Sequence, residues 1–94
     1  MSGQTPLFIA CDLGFLEIVQ CLLESKADIN KANLKGDTPL FMAAQRSHLG
    51  VVRCLLDHGA DDTLPNKEGK VPIAVADHRD VAWSLMKAAK RRRL

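Results

Sequence analysis

The chain has 94 residues, of which 47% are hydrophobic and 26% charged, and its formal net charge is +2. This length allows one compact domain, and the ordinary composition excludes an intrinsically disordered chain. Apolar runs reach only a few residues, which excludes a membrane-spanning helix because about 20 apolar residues are needed to cross a bilayer. With no tyrosine and one tryptophan, the chain also lacks the aromatic residues of a base-stacking platform for nucleic acids.

The cysteines and the first residues indicate a reducing compartment. Residues 1–6 carry no basic segment and no long apolar core follows them, so no secretory signal is predicted. Cys11, Cys21 and Cys54 are three in number and cannot all pair within one chain. We therefore expect a cytoplasmic protein, with the nucleus as the second location.

The most informative feature of the sequence is an internal repeat with a period of 33 residues. The segment Thr5–Phe8 recurs as Thr38–Phe41. Three sets of residues are in register at this offset: Gly3, Gly36 and Gly69; Pro6, Pro39 and Pro72; and Ala10, Ala43 and Ala76. A fixed period of this length indicates stacked units of supersecondary structure. We predict a single domain of three units, at about residues 3–35, 36–68 and 69–94.

Each unit is predicted to form two short helices followed by a loop. In the second unit, Thr38 can cap the first helix with its hydroxyl, and Pro39 suits a first helical position because no N–H donor is needed there. The second helix follows a turn at residues 47–48, and Gly59 ends it as a residue that favours the left-handed conformation. Its apolar residues recur at helical spacing, at Leu49, Val52, Leu55 and Leu56.

The third unit departs from this pattern toward polar and small residues. Relative to the second unit, Thr38 becomes Val71, Ala44 becomes Asp77, Val51 becomes Ser84, Cys54 becomes Lys87, and Leu55 and Leu56 become Ala88 and Ala89. Positions that would meet a following unit have thus become polar or small, which is what a terminal cap needs because its outer face meets water. We interpret the third unit as a degenerate C-terminal cap with Leu94 at or near the end of the stack, and simple decay of the repeat is the alternative.

The first unit shows no such adaptation. Cys11 and Ile18 remain small or apolar, as they would be in an internal unit. An apolar face is therefore expected to be uncovered on this side. Further units in a longer chain, self-association, or a bound partner would each cover such a face.

These units resemble the ankyrin repeat, and the resemblance covers nearly the whole chain. The family's T-P-L-H-x-A segment is matched by residues 5–10 and 38–43, with a degenerate copy at 71–76, and its V-x-x-L-L-x-x-G-A segment by residues 52–60. The family's frequent histidine is replaced by Phe8, Phe41 and Ala74, so packing must replace the hydrogen bonds of that histidine. The resemblance implies an all-α ankyrin repeat solenoid of helix-turn-helix units with short connecting loops.

The resemblance also implies a protein–protein interaction module, a scaffold or adaptor, and no enzyme. Partners of such stacks commonly bind a concave surface formed by loop tips and first helices. Mapped onto this sequence, the candidate partner-binding residues are Lys35, Asp37, Gln45, Arg46, Lys67, Glu68, Lys70, His78 and Arg79, with Gln4, Asp12 and Leu13 in the first unit. The basic bias of the second and third units predicts an acidic or mixed-charge segment of another protein as the partner.

A modification site is implied as well. Residues 22–30 resemble the setting in which asparagines of ankyrin repeats are hydroxylated, with Asn30 as the target. Thr63 stands at the matching position of the second unit, so only one site is expected.

The basic C-terminal segment supports an alternative function. Lys90, Arg91, Arg92 and Arg93 are a candidate nuclear-import signal or phosphate-contact tail, as in a nuclear regulatory or nucleic-acid-associated protein. A solvated helix end with cations near its terminal carbonyls explains the same residues. The cluster offers few phosphate contacts, which argues against tight nucleic-acid binding.

Trp83 and Met86 align with Gly50 and Arg53, which are predicted to face outward. The pair could form a small apolar contact patch on the last helix, because residues three apart share a helix face and tryptophan is common among binding anchors. Alternatively, Trp83 covers the neighbouring helix of the second unit.

The sequence offers no pattern for catalysis, a cofactor or a metal. Its cysteines and histidines are spread at repeat spacing, without the close pairs that zinc sites use. Cys21 and Cys54 are predicted to lie in apolar helices, where free cysteine is usually a small buried hydrophobe. The six glycines are turn residues and form no phosphate-binding loop.

Overall fold

The structure, a computed structural model, describes residues 3–92. Its elements in chain order are α1 (Pro6–Leu13), α2 (Leu16–Glu24), α3 (Pro39–Gln45), α4 (Leu49–Asp57), a 3-10 helix (Pro72–Val75) and α5 (Arg79–Arg92). The all-α prediction is confirmed, since no strand occurs between residues 3 and 92. None of the helices in this range is long and apolar enough to span a bilayer.

The helices form two layers. α1, α3 and the 3-10 helix pack side by side in the first layer, and α2, α4 and α5 pack side by side in the second. Within each unit the first helix also packs against the second. Each unit therefore buries its apolar surface against its neighbours, which is how a repeat stack builds a continuous core.

The first helices of units one and two begin as the sequence predicts. The hydroxyls of Thr5 and Thr38 accept hydrogen bonds from the backbone N–H groups of Phe8 and Phe41, both at 3.1 Å. Val71 has no hydroxyl to offer at the equivalent position of unit three. There the expected α-helix is replaced by one turn of 3-10 helix, which is consistent with the loss of the capping bond.

The core consists of apolar side chains contributed by all three units. Phe8 and Phe41, which stand where ankyrin repeats frequently have a histidine, are buried. Ala43 and Ala44 are completely buried in α3, and their small size allows neighbouring helices of the first layer to approach closely. The second layer contributes the buried side chains Val19, Val51, Val52, Leu55, Val81 and Leu85.

The turn between α1 and α2 requires glycine for two reasons. Gly14 has a φ of +77°, which is in the left-handed region. A Cβ atom at this position would stand 2.7 Å from the ring of His48 in the next unit. The histidine ring thus packs directly onto the glycine backbone.

Equivalent side chains of units one and two differ in exposure because, among the described residues, unit two has a neighbour on both sides and unit one has a neighbour on one side. Ile18 in α2 is 50% exposed, whereas Val51, its equivalent in α4, is 2% exposed. Cys11, which we expected on the uncovered face with Ile18, is instead completely buried. The reason is that α1 packs against α3, so position 11 faces the following unit.

The comparison also corrects part of the capping interpretation. Positions 51 and 54 are buried in unit two, but their equivalents Ile18 and Cys21 are exposed in unit one, before which the described residues contain no further unit. These positions therefore face the preceding unit. Ser84 and Lys87 occupy them in unit three, so their polarity cannot prepare an outer face. Asp77 does fit the cap, because it is exposed where the equivalent Ala44 is buried by the following unit.

Candidate partner-binding surface

Two loop tips of the same construction project from the stack, at residues 33–37 and 66–70. In the first, Asn33 Oδ1 accepts hydrogen bonds from the backbone N–H groups of Lys35 and Asp37, both at 3.0 Å. In the second, Asn66 Oδ1 accepts from Glu68 at 2.9 Å and from Lys70 at 3.0 Å. Each asparagine thus holds its own tip closed, in the way that such side chains stabilise turns.

The two tips are also bonded to each other. The backbone N–H of Lys67 donates to the carbonyl oxygen of Lys35 at 3.0 Å. Gly36, with a φ of +81°, makes this approach possible, since a Cβ atom there would lie 3.0 Å from the nitrogen of Lys67. The lysine side chains at the tips are therefore presented on a fixed backbone.

Asp37 does not belong to the partner-binding residues as predicted. Its side chain is buried, with only 7% of the residue exposed, and its Oδ1 accepts a hydrogen bond of 2.9 Å from Asn66 Nδ2. A buried carboxylate with this partner joins the two tips and is not available to another protein. We correct the prediction accordingly.

The remaining predicted residues of the tips are exposed. Lys35, Lys67 and Lys70 provide three cations, and Glu68 provides one carboxylate. The structure brings Lys35 and Lys67 together through the backbone bond between the tips. Consequently, the paired tips form a surface with an excess of positive charge.

A further predicted cation, Arg46, lies at the end of α3. The Nε of Arg46 donates to Asp12 Oδ1 of unit one at 2.8 Å, and this is an ion pair between neighbouring units. The backbone carbonyl of Asp12 accepts a further hydrogen bond from His48 Nε2 at 2.9 Å. Because a carbonyl oxygen only accepts, this nitrogen of His48 carries the proton. Arg46 remains exposed, but Asp12 already neutralises part of its charge.

Among the described residues, the other predicted positions are not joined to one another by side-chain hydrogen bonds. Gln45 and Arg79 are exposed and form no side-chain hydrogen bond among the described residues. His78 is exposed as well, and its Nδ1 accepts from the backbone N–H of Asp80 at 3.2 Å, which helps to start α5. Gln4 and Leu13 of unit one are exposed.

Asn30, the candidate hydroxylation site, lies in a half-buried loop between units. Its Oδ1 accepts a hydrogen bond from the backbone N–H of Asp61 at 2.9 Å, and its own N–H donates to Asp28 Oδ1 at 3.1 Å. The side chain thus connects the loop of unit one to that of unit two. Hydroxylation at this residue stays a prediction.

The basic tail is described only in part. Lys90 and Arg91 are exposed on α5, which ends at Arg92. Arg93 lies outside the described residues. The use of this tail as an import signal or phosphate contact stays a prediction.

Two of the three cysteines, Cys11 and Cys54, lie in environments that disfavour nucleophilic chemistry. Burial raises the pKa of the Cys11 thiol to about 12, and the nearby Cys54 adds to the effect. Burial also raises the pKa of Cys54, with a contribution from Asp57. Both thiols therefore stay protonated at neutral pH, whereas Cys21 is exposed. Between residues 3 and 92, no three His, Cys, Asp or Glu side chains are grouped closely enough to hold a metal ion.

Sequence reasoning missed the two asparagines that build the tips. Asn33 and Asn66 are themselves 33 residues apart, and each stands three residues before a glycine of the repeat. This spacing was a usable signal, because an asparagine placed before a turn glycine commonly bonds the backbone of that turn.

The comparisons with known proteins agree with this architecture. The family model for ankyrin repeats (many copies) matches residues 7–56, which is more than half of the chain. The search of curated proteins found no match. The two matched units have the capped first helix, the turn and the second helix described above. The chain therefore belongs to the ankyrin repeat family, whose repeats are generally protein–protein interaction modules.

Proposed function

We propose that this protein is a binding scaffold or adaptor that holds an acidic or mixed-charge segment of another protein on its paired loop tips. The observation that carries the proposal is the bonded pair of tips, in which exposed Lys35 and Lys67 are attached to a backbone fixed by Asn66 and Asp37. A surface that is already ordered loses little conformational freedom on binding, and this favours affinity.

The charge of the tips supports an acidic partner. Three lysines and one glutamate face solvent there, and cations in this arrangement accelerate encounter with an acidic surface. Gln45 and Arg46 at the end of α3, and His78 and Arg79 at the start of α5, extend the proposed surface. Because the Asp12 carboxylate already holds Arg46, we expect Arg46 to contribute less than the lysines.

Binding without catalysis fits the rest of the molecule. Ankyrin repeat proteins are typically not enzymes. Cys54 Sγ lies 3.8 Å from His58 Nδ1, but burial raises the pKa of this thiol and so disfavours the nucleophilic thiolate. We infer that chemistry on the partner, where it occurs, belongs to other proteins.

A peptide-display selection against the intact chain tests the proposal. Enriched peptides are expected to contain an excess of Asp and Glu, and their affinity is then measured for the wild type and for a Lys35→Ala/Lys67→Ala/Lys70→Ala variant. Loss of about three exposed ion pairs should weaken binding roughly tenfold. A Lys26→Ala/Lys31→Ala/Lys90→Ala variant removes equal charge from other exposed positions and should bind normally. Equal loss in both variants would contradict the proposed surface.

The alternative, a nuclear or nucleic-acid-associated protein acting through its tail, is favoured by the exposure of Lys90 and Arg91. Replacing Arg91, Arg92 and Arg93 by serine and following localisation in cells tests the import signal. Binding to any nucleic acid that disappears between low and moderate salt would favour this alternative over the scaffold.

A further inference from the structure

A groove of about 230 Å³ lies between α4 and α5, in the second helical layer and therefore away from the first helices. Arg53, Leu56 and Asp57 line it from α4. From α5 it is lined by Trp83, Ser84, Lys87, Ala88 and Arg91. The sequence singled out Trp83 and the tail cations separately, and the packing of the two helices brings them to one place.

The groove exists because unit three departs from the repeat at three positions. In unit two, the equivalents of Ser84, Lys87 and Ala88 are Val51, Cys54 and Leu55, which are buried. Shortening the first and last of these side chains removes the packing that would fill the space between the second helices. The middle replacement adds an exposed cation at its edge.

The groove is lined by charged side chains from both helices. Arg53, Lys87 and Arg91 are exposed, and within the part of the chain that the structure describes they form no ion pair, even with Asp57. Three cations and one carboxylate leave an excess of two positive charges. Trp83 is 58% exposed beside them, so an apolar surface and a cationic surface are adjacent.

The geometry points to an acidic protein segment in extended conformation as the ligand of this groove. Trp83, Lys87 and Arg91 follow one another at intervals of four residues on α5, which corresponds to about 6 Å per interval along the helix axis. Alternate side chains of an extended peptide lie on one side at intervals of about 6.6 Å. A peptide with the order apolar–x–acidic–x–acidic, in either chain direction, therefore matches the three side chains.

A peptide fits these observations better than a nucleic acid. The groove offers three cations, and nucleic-acid affinity depends on contacts with many phosphates. Asp57 lies among the cations and would repel a continuous phosphate backbone, whereas a peptide carries charge only at chosen positions. The apolar contact with Trp83 also suits a side chain such as phenylalanine or leucine. This site is separate from the loop tips and does not depend on the proposed function.

Titration with short peptides tests the inference directly, because Trp83 is the only tryptophan and its fluorescence reports occupation of the groove. The probes are Phe-Ser-Glu-Ser-Glu, its reverse sequence, and Phe-Ser-Ser-Glu-Glu, each with blocked ends. At least one of the first two should shift the Trp83 emission to shorter wavelength, and the third should bind more weakly because its glutamates no longer lie on one side.

Variants distinguish this site from other cationic surfaces. Lys87→Glu/Arg91→Glu should weaken binding of the alternating peptide about tenfold or more, as judged from two exposed ion pairs converted to repulsion. Lys26→Glu/Lys31→Glu carries the same charge change at exposed positions elsewhere and should bind as the wild type does. The triple alanine variant of the loop tips should also bind the peptide normally. A failure of the groove proposal can therefore be told apart from a failure of the loop-tip proposal.

Three results would overturn the inference. The first is peptide binding without a change in Trp83 emission, and the second is equal weakening in both charge-reversal pairs. The third is tighter binding of a single-stranded oligonucleotide of about ten bases than of any peptide, with loss in Lys87→Glu/Arg91→Glu. Trp83→Ala, followed by anisotropy of a labelled peptide and by thermal unfolding, provides the independent check. It should weaken the peptide while leaving the melting temperature nearly unchanged, since the side chain is mostly exposed.

Discussion

Units one and two carry the same or similar residues at many equivalent positions, but in different surroundings. Position 18 of unit one and position 51 of unit two are both β-branched and apolar, yet the first is half exposed and the second is buried. Cys21 and Cys54 are the same residue and differ in the same way. In this stack, burial is decided by the presence of a neighbouring unit and not by the side chain itself.

Leu55 and Leu22 test this comparison most strongly, because they are equivalent leucines with different burial. Leu55→Ala should lower the free energy of unfolding by about 3 kcal/mol, since Leu55 is completely buried and the substitution leaves a cavity. Leu22→Ala should cost about half as much, because Leu22 is only partly buried. Urea unfolding followed by circular dichroism gives both values, and equal losses would contradict the role assigned to the neighbour.

Gly36 and Gly69 are equivalent glycines of the two loop tips, and of the two only Gly36 has another tip packed against it. Both have a φ near +80°, so alanine at either position is strained by about 1 kcal/mol. Only Gly36 also has the next tip against it: the nitrogen of Lys67 lies 3.0 Å from the place that a Cβ atom would occupy, while nothing lies within 4 Å of the same place at Gly69. We expect Gly36→Ala to cost about 2 kcal/mol in total and Gly69→Ala about 1 kcal/mol. Thermal unfolding of the two variants side by side would show whether the difference exists.

Thr38 and Val71 occupy equivalent helix-capping positions in units two and three, so the hydroxyl can be removed from one unit and introduced into the other. Thr38→Val should destabilise the protein by about 1 kcal/mol, because the N–H of Phe41 loses its 3.1 Å partner in a buried setting. Val71→Thr restores the hydroxyl in unit three and should stabilise it by about 0.5 kcal/mol. Amide exchange at Ala74, whose N–H lies one turn after the cap, would reveal the second effect even where the melting temperature barely moves. Faster exchange in Val71→Thr would run against this account.

Cys11, which is buried in unit one, gives an expected effect on stability that depends on pH. The pKa of Cys11 is raised in the folded protein from 9.0 to about 12, so its contribution to stability is complete below pH 9 and is lost as the pH rises toward 12. At pH 9.5 the loss should be on the order of 1 kcal/mol relative to pH 7. Cys11→Ala removes this component, and the difference between the two unfolding curves at pH 7 and pH 9.5 isolates it from other alkaline titrations. Parallel pH dependence in the two proteins would contradict the assignment.

Most of the architecture follows from local signals that the sequence displays openly. Thr38 and Pro39 start a helix, and Gly59 follows the end of another with a φ of +86°. These signals act through a few neighbouring backbone groups, so they can be read from adjacent residues. The 33-residue period then predicts that the units stack, and the family match agrees with it.

The errors concern features that depend on distant parts of the chain. Asp37 looks like an exposed loop residue until Asn66, 29 positions away, is found to bury and bond it. Lys87 looks like part of an outer face, because a period alone does not say which side of a helix meets the preceding unit. The groove beside Trp83 was missed for the same reason, since it depends on the space between α4 and α5.

The hydrogen bond between Asn66 and Asp37, which joins the two loop tips, also bears on how firmly the units are held together. Within residues 3–92 there are two junctions between units, and the middle unit takes part in both of them. A change that loosens the middle unit therefore weakens both junctions. Conversely, a ligand that contacts residues 33–37 and 66–70 together would hold the two loop tips against each other and would raise the free energy of unfolding, because it binds the folded state.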